Sequence, residues 1–480
     1  MKKILHFIDG EYSNPVSDLW IEGINPATGE IITQISNGDV RDVEKAFQAA
    51  TRAFSIWSNY SSTERFQILN RIAELIEENL EELAIAETID TGKPLRLSKE
   101  VEIPRAASNF RFFATASLQF ASESHSMNQA INYTLRQAIG VVGCISPWNL
   151  PLYLFTWKIA PALATGNCVI AKPSEMSPST AAMLGELCNK AGLPKGVLNI
   201  LQGEGKGVGN AIVNHPGIKA ISFTGGTKTG QHISAIAGPM FKKLSLELGG
   251  KNPCLVFDDC NLELTVSEVA RLAFSNQGQI CLCGSRILIE ETIYEEFKNK
   301  LIEKVSKLIV GDPLDPKTQF GSLISFEHKK KVQSYIQLAI EEGGNLLYGG
   351  NEIQLEGRCK NGSFISPAIF ENLGPKCRTN QEEIFGPVIT LQKFKGELEA
   401  IELANDSVYG LAATVWTENV RKAHRVAQKL NTGIVWINCW LLRDLRTPFG
   451  GMNASGVGRE GGLEAMRFFT EAKNVCVYYN

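Results

Sequence analysis

The chain has 480 residues, a formal net charge of −3 and 44% hydrophobic residues, so it is long enough for several domains and too apolar to be disordered. Lysines and arginines form no long run, which excludes the charge pattern typical of nucleic-acid-binding surfaces. The most apolar stretch, residues 150–170, contains Lys158 and Pro161, so we expect a buried segment and no membrane span.

Cysteine and histidine usage bounds the cellular context and the chemistry. The eleven cysteines form no CxxC pair, and the apolar N-terminal stretch ends at Asp9, too early for a signal peptide. Free thiols in the cytoplasm are therefore expected. The six histidines are isolated and no HExxH occurs, so we expect no metal site.

In chain order, the N-terminal part is predicted to be helical and the next part to alternate strands with helices. Amphipathic patterns predict helices at 40–60, 62–90 and 97–120, and a short strand at 132–135. Alternating strands and helices imply a parallel, doubly wound sheet that binds ligands at the carboxyl ends of its strands. Its predicted strands are 139–145, 168–171, 197–201, 220–223 and 243–248, and the helices between them follow Pro151 or span 179–191, 207–214 and 229–237.

A second α/β region is predicted to start near Asn252. The tail, residues 473–479, alternates like an apolar edge strand, which needs a partner and indicates a subunit interface. The region's predicted strands are 253–257, 286–290, 387–394 and 433–438, and its helices are 264–274, 293–308 and 326–342.

Two loops after predicted strands could hold a dinucleotide. Gly225 and Gly226 follow one strand and open a helix, which leaves bare backbone N–H groups for a phosphate, although a plain turn is an equal alternative. Lys172 and Glu175 follow another strand and could bind ribose hydroxyls, unless they form an ordinary polar loop. A carboxylate at the ribose would repel a 2′-phosphate and so favour NAD over NADP.

Three further residues stand where a covalent mechanism needs them. Cys281 lies in a polar, glycine-containing turn, Glu247 ends the fifth predicted strand, and Asn149 follows the first. They could act as nucleophile, base and oxyanion donor. Taken singly, each has an ordinary alternative, namely a core cysteine, a solvated carboxylate and a turn residue. Cys283 lies two residues beyond Cys281 and could be a bystander.

The motifs together resemble the aldehyde dehydrogenase superfamily, in order, over nearly the whole chain. One departure is Gly226, where many relatives have serine. The matching pieces are NPATG at 25–29, PWN at 147–149, KPSE at 172–175, FTG at 223–225, ELGGK at 247–251, QGQIC at 277–281, EEIFGP at 382–387 and PFGG at 448–451.

The resemblance implies NAD-dependent oxidation of an aldehyde through a thiohemiacetal and a thioester on Cys281, with Glu247 as general base and Asn149 as oxyanion donor. The cofactor contacts that it implies are Ser146, Trp148, Lys172, Ser174, Glu175, Gly205, Gly225, Gly226, Gly230, Leu248, Glu383 and Phe385. It also implies a Rossmann-like NAD-binding domain (1–117 and 139–249), a catalytic domain (250–449) and an oligomerisation element (118–138 and 467–480) that would build a homo-oligomer, either a dimer or a tetramer.

The substrate is predicted from arginines near the aldehyde pocket. Arg443 lies a few residues before the Pro448 turn, with Arg446 as a reserve, and Arg105 lies in a helix that lines this pocket in relatives. A guanidinium matches a carboxylate, although surface arginines are an open alternative. The string from Trp440 resembles 2-hydroxymuconic and 2-aminomuconic semialdehyde dehydrogenases. Betaine, succinic or aliphatic aldehydes, a CoA-acylating enzyme and a non-catalytic structural relative remain alternatives.

Overall fold

The computed structural model describes residues 2–479 and contains two large, mainly parallel sheets. In the first sheet, the strands Val141–Ile145 and Ala220–Thr224 are neighbours although other strands separate them along the chain, so the winding direction reverses between them. This confirms the predicted doubly wound α/β fold and places a crevice at that reversal. The strand order is Gly456–Val457, Lys243–Glu247, Ala220–Thr224, Val141–Ile145, Cys168–Lys172, Leu198–Ile200, His6–Ile8 and Glu11–Ser13.

The second sheet is also wound in both directions, around the buried strand Asn252–Val256. The sequence does not predict three strands of this sheet, Asn345–Gly349, Ala368–Glu371 and Ala412–Trp416, because they are short and carry no alternating pattern. The strand order is Asn345–Gly349, Ala368–Glu371, Val388–Phe394, Gly284–Glu290, Asn252–Val256, Ala412–Trp416 and Ile434–Ile437. The predicted division into domains stays a prediction, and its bounds at residues 1 and 480 lie outside the described residues.

Two predicted helices are interrupted. The helix predicted at 62–90 breaks at Asn79, whose side-chain amide donates to Leu75 O and ends the first half. The helix predicted at 97–120 contains a π-helical turn, Ser98–Glu102, because Pro104 lacks an N–H to donate to the preceding turn. The α-helices are Val40–Trp57, Ser62–Glu78, Leu80–Thr91, Leu95–Leu97, Ile103–Leu118, Pro151–Ala164, Ser179–Lys190, Asn210–Asn214, Thr227–Ala237, Leu262–Phe274, Tyr294–Ser306, Phe326–Glu341, Arg378–Gln381, Gly396–Asn405, Val420–Lys429 and Gly462–Phe468.

A third sheet, which we call the tail sheet, carries the C-terminal strand. Thr470–Tyr478 pairs along its whole length with Ala130–Ala138, which in turn pairs with Ser124–Ser126. The tail is therefore an edge strand, as predicted, and it is longer than the predicted residues 473–479. None of the helices in the described part of the chain combines the length and apolarity that a bilayer crossing requires.

Ser455 ties the two large sheets together where the chain passes from one to the other. Its fully buried hydroxyl donates to Gly249 O at 2.6 Å and accepts from Gly410 N at 3.0 Å, and its carbonyl accepts from Leu248 N at 2.9 Å. The next residues, Gly456–Val457, pair with the end of Lys243–Glu247. The second half of the chain thus completes an edge of the first sheet beside Glu247.

Candidate active site

The candidate site lies where three strands of the first sheet end. Asn149 follows Val141–Ile145, Gly225 and Gly226 follow Ala220–Thr224, and Glu247 is the last residue of its strand. Parallel strands present their carboxyl ends at one edge, so these residues converge. Asn149, Gly225 and Gly226 line one cavity of about 250 Å³ together with Cys281, which the second half of the chain supplies. Leu248 and Gly249, which directly follow Glu247, line it too.

A strained turn presents Cys281. After the helix Leu262–Phe274, the residues Asn276 and Gln277 have left-handed backbones, with φ of 48° and 56°. Such residues cost about 1–3 kcal/mol each unless their surroundings hold them. Gly278 follows at φ 69°, and a Cβ there would lie 2.4 Å from Gly386 O. The side chain of Asn252 donates to Cys281 O at 2.7 Å and fixes the end of the turn.

The thiol of Cys281 is half-buried among negative groups. Burial raises its pKa, and the carboxylates of Glu383 and Glu247 raise it further. Its backbone N–H has no protein acceptor in the described part of the chain. Cys283 is buried, and its thiol contacts Ser275 O instead.

Glu247 is a buried carboxyl without a fixed partner. It is 4% exposed, and neither of its oxygens receives a hydrogen bond from residues 2–479. Burial raises its pKa well above the ordinary value, and the nearby Glu460 adds to the shift. An unbonded buried carboxyl is free to bind water and to move a proton.

Behind Glu247 lies a buried ion pair that the sequence analysis missed. Lys158 Nζ lies 2.6 Å from Glu460 Oε1, and both groups also contact Ser222 Oγ. The one available signal was a lysine alone in a strongly apolar helix, which requires a buried partner. No local pattern marked Glu460.

The side chain of Asn149 points across to the cysteine turn. It is 3% exposed, and its amide nitrogen donates one hydrogen bond to Gln279 O at 2.9 Å. An amide nitrogen carries two hydrogens, so one remains for a ligand in the same cavity.

Glu383 and Phe385 close the cavity on the side of the second sheet. Glu383 Oε1 accepts from Gly250 N at 3.0 Å. Phe385 has a left-handed backbone, φ 59°, and its ring packs edge-on against Trp148 at 5.3 Å. The cavity is also lined by His328 and Lys331, which no motif in the sequence indicated. The predicted members that the structure brings into this cavity are Trp148, Asn149, Gly225, Gly226, Leu248, Cys281, Glu383 and Phe385.

The other predicted cofactor residues lie further along the same sheet edge. Lys172 is buried and forms an ion pair with Glu175 at 3.0 Å. The glycine turn that starts at Gly205 passes beside Lys172, since a Cβ on Gly209 would lie 3.7 Å from its Cδ. Ser174 accepts from Met176 N and shapes the turn between Lys172 and Glu175.

Several features of this edge fit a dinucleotide. The helix Thr227–Ala237 begins beside the cavity with no side-chain cap, and a Cβ on Gly226 would meet only open space. Leu248 packs against Gly230, which keeps the helix close to the strand. The buried hydroxyls of Ser146 and Thr224 lack partners among the described residues.

A second cavity of about 430 Å³ borders residues 280 and 282 and has an apolar lining that includes Tyr153 and Trp440. Arg105 lines it and donates to Leu441 O at 3.3 Å. No carboxylate among residues 2–479 lies within ion-pair distance of this guanidinium, although Glu102 and Glu268 line the same cavity.

Arg443 is caged by aromatic rings. Its guanidinium lies 4.2 Å from the ring centre of Trp157 and 4.0 Å from that of Phe449, and it hydrogen-bonds Tyr153 Oη. Its Nη2 is buried and has no partner in the described structure. Arg446, the reserve candidate, lines an open cavity of about 1070 Å³ together with Arg443, but its side chain is 80% exposed and paired with Asp444.

The chain is similar to known proteins over nearly its whole length. A sequence profile described as "Aldehyde dehydrogenase family" matches residues 13–475. Human 2-aminomuconic semialdehyde dehydrogenase is 48% identical over 476 residues, 98% of this chain and 97% of that protein. The 2-hydroxymuconic semialdehyde dehydrogenase of Pseudomonas sp. (strain CF600) is 45% identical over 99% of this chain and 100% of that protein.

Solved structures are equally similar in fold. A point mutant of betaine aldehyde dehydrogenase from Staphylococcus aureus, in complex with NAD+, has a TM-score of 0.97 and 38% identity, covering 100% of this chain and 98% of that one. A chain from Burkholderia cenocepacia described as a putative aldehyde dehydrogenase has the same TM-score and 41% identity, covering 99% and 98%.

Proposed function

Since this chain belongs to the aldehyde dehydrogenase family and is an NAD-dependent enzyme, we propose that it oxidises a carboxylate-bearing muconic semialdehyde to the corresponding acid. The observation that supports this substrate class is the buried Nη2 of Arg443, which has no partner among the described residues. Arg105, which lines the cavity of about 430 Å³, adds a second guanidinium. A guanidinium held among aromatic rings is prepared to bind a carboxylate, because little side-chain freedom is lost on binding.

The first half of the reaction is carried by Cys281. The Cys281 thiol gives its proton to solvent, and the thiolate sulfur adds to the aldehyde carbon. The resulting oxyanion accepts hydrogen bonds from the free amide hydrogen of Asn149 and from the backbone N–H of Cys281. A bound NAD would supply the acceptor for the hydride of the thiohemiacetal carbon. The product of this half-reaction is a thioester on Cys281.

Hydrolysis of the thioester is the task of Glu247. Its carboxylate deprotonates a water, which attacks the thioester carbon and releases the acid and the thiol. The unpartnered oxygens of Glu247 leave room for that water, and the raised pKa makes the carboxylate a stronger base than an exposed one. A CoA-acylating enzyme needs no such base, so this residue favours hydrolysis.

The residues that would hold NAD are those along the sheet edge. Lys172 and Glu175 would bind the adenosine ribose, and the backbone of Gly225 and Gly226 would bind the phosphates. Glu383 and Phe385 would contact the nicotinamide end.

Six further residues would contact the cofactor, namely Ser146, Trp148, Ser174, Gly205, Gly230 and Leu248. We further propose that the tail sheet joins two subunits, since an exposed strand such as Thr470–Tyr478 is a template for pairing.

A betaine-type substrate is the main alternative within the family. The aromatic cage could bind a quaternary ammonium group, but the Arg443 guanidinium already occupies it and repels a second cation. The experiment is a panel of aldehydes compared by kcat/KM, with 2-hydroxymuconic semialdehyde, an uncharged aldehyde of similar length and betaine aldehyde, each with and without CoA. A preference for the uncharged or the cationic aldehyde would overturn the substrate proposal.

A further inference from the structure

A buried lysine, Lys93, lies behind the candidate oxyanion donor. It follows Gly92, which is left-handed at φ 73°, and its side chain is 0% exposed. Its Nζ lies 3.2 Å from Glu87 Oε1 and 3.8 Å from Glu102 Oε2. A buried cation needs partners, and these two carboxylates supply the charge.

The third partner of Lys93 is a backbone atom of the active site. Its Nζ donates to Asn149 O at 3.0 Å, and the side chain of Asn276 donates to the same oxygen at 3.1 Å. The other carboxylate oxygen of Glu87 accepts from Leu152 N at 3.1 Å, at the start of the helix that follows Asn149. Lys93 and Glu87 therefore hold this loop from both ends.

Asn149 also links this loop, residues 149–152, to the turn that carries Cys281. Asn149 bonds Gln279 O through its side chain while its carbonyl is held by Lys93 and Asn276. Asn276 is itself one of the two left-handed residues in the turn that presents Cys281. Such a strained turn keeps its conformation only while its contacts fix it.

We propose that Lys93 is a positioning residue that sets the distance between the amide of Asn149 and the sulfur of Cys281 through the carbonyl of Asn149. This inference rests on the proposed role of Asn149 as oxyanion donor. A displacement of about 1 Å at a reacting centre can lower a rate by roughly a hundredfold, so loss of the anchor should slow acylation while NAD still binds.

The alternative is that Lys93 only balances the charge of two buried carboxylates. Removal of the lysine would then destabilise the protein without a specific effect on Asn149. A double-mutant cycle separates the two roles, because residues that act through one another give non-additive effects.

The experiment compares Lys93→Met, Asn149→Ala and the double variant in the full-length enzyme. The readouts are the rate of the NADH burst, the Kd for NAD from quenching of tryptophan fluorescence, and Tm. We expect Lys93→Met to slow the burst by roughly ten- to a hundredfold with a Kd within about twofold of the wild type. In the Asn149→Ala background the same change should cost less than about threefold.

Lys242→Met is the matched control. Lys242 is also a buried lysine that donates to backbone carbonyls, those of Val213 and His215, outside the candidate site. It should lower Tm and leave the burst rate unchanged. If Lys93→Met does not fold, Lys93→Gln, which keeps a shorter donor, takes its place in the cycle.

Two results would reject the inference, and they are distinguishable from failure of the proposed function. Equal losses from Lys93→Met with and without Asn149 would make the lysine structural, as would a wild-type burst in Lys93→Met while Asn149→Ala is slow. A wild-type burst in Asn149→Ala would instead remove the premise that Asn149 stabilises the oxyanion.

Discussion

Replacement of Arg443 by methionine tests the substrate proposal most directly. The change removes the guanidinium, including the Nη2 group that lacks a protein partner, and leaves an unbranched side chain between Trp157 and Phe449. A hydrogen bond to a charged group contributes about 1.5–3 kcal/mol. The loss of one such bond to a substrate carboxylate corresponds to a fall in kcat/KM of roughly ten- to a hundredfold.

Arg443 also acts on the reacting groups. Its positive charge opposes the upward shift in the pKa values of Cys281 and Glu247. We therefore expect its removal to lower kcat/KM for every aldehyde by a common factor. The informative quantity is the ratio of the kcat/KM values for two substrates rather than either value alone.

The assay follows NADH absorbance with 2-hydroxymuconic semialdehyde and with an uncharged aldehyde of similar length. Arg443→Met should lose about tenfold or more in the ratio, and Arg105→Met should act in the same direction. Arg446→Met is the matched control, because that side chain is exposed and paired with Asp444. Equal losses on both substrates would refute the reasoning and return Arg443 to a structural role.

Other predictions concern the nucleophile, the base and the coenzyme. Cys281→Ala should abolish turnover while NAD binding, measured by fluorescence, persists, and Cys283→Ala should stay active; residual dehydrogenase activity in the first variant would disprove the covalent mechanism. Glu247→Gln should give an NADH burst followed by slow turnover, whereas steady turnover without a burst would contradict its role in hydrolysis. In the wild type, deacylation should accelerate as pH rises through the raised pKa of Glu247, because only the deprotonated carboxyl is a base; a pH-independent rate in single-turnover experiments would argue against this. NAD should be preferred over NADP by roughly a hundredfold, and Glu175→Gln should narrow that gap in kcat/KM; equal use of both coenzymes by the wild type would show that Glu175 does not face the ribose.

The strands that carry the site could be predicted because their signals are local. A short apolar run that ends in a glycine or a polar residue marks the end of a buried strand, and this pattern located Asn149, Gly225 and Glu247. The doubly wound fold followed from the alternation of strands and helices, and the family and the NAD cofactor followed from motifs in order along nearly the whole chain; the comparisons confirm all three. Helix breaks were less predictable, since the break at Asn79 depends on one side-chain bond to Leu75.

The residues that the sequence did not reveal depend on contacts between distant parts of the chain. Lys158 and Glu460 are 302 positions apart, and Lys93 reaches a carbonyl 56 positions away. Periodicity and motif spacing depend on residues that are close in the sequence, so they could reveal neither of these two pairings. The arginines show the same limit, because Arg443 and Arg446 look alike in the sequence and differ only in what surrounds each.

The hydrogen bonds of Ser455 also limit the movement of the two large sheets relative to each other. Rotation of one sheet away from the other about residues 249–250 would break three buried hydrogen bonds and detach Gly456–Val457 from its neighbour, at a cost of several kcal/mol. The two cavities that border the segment 280–282 should therefore keep their relative positions. We therefore expect product release to proceed without a hinge opening of one sheet against the other.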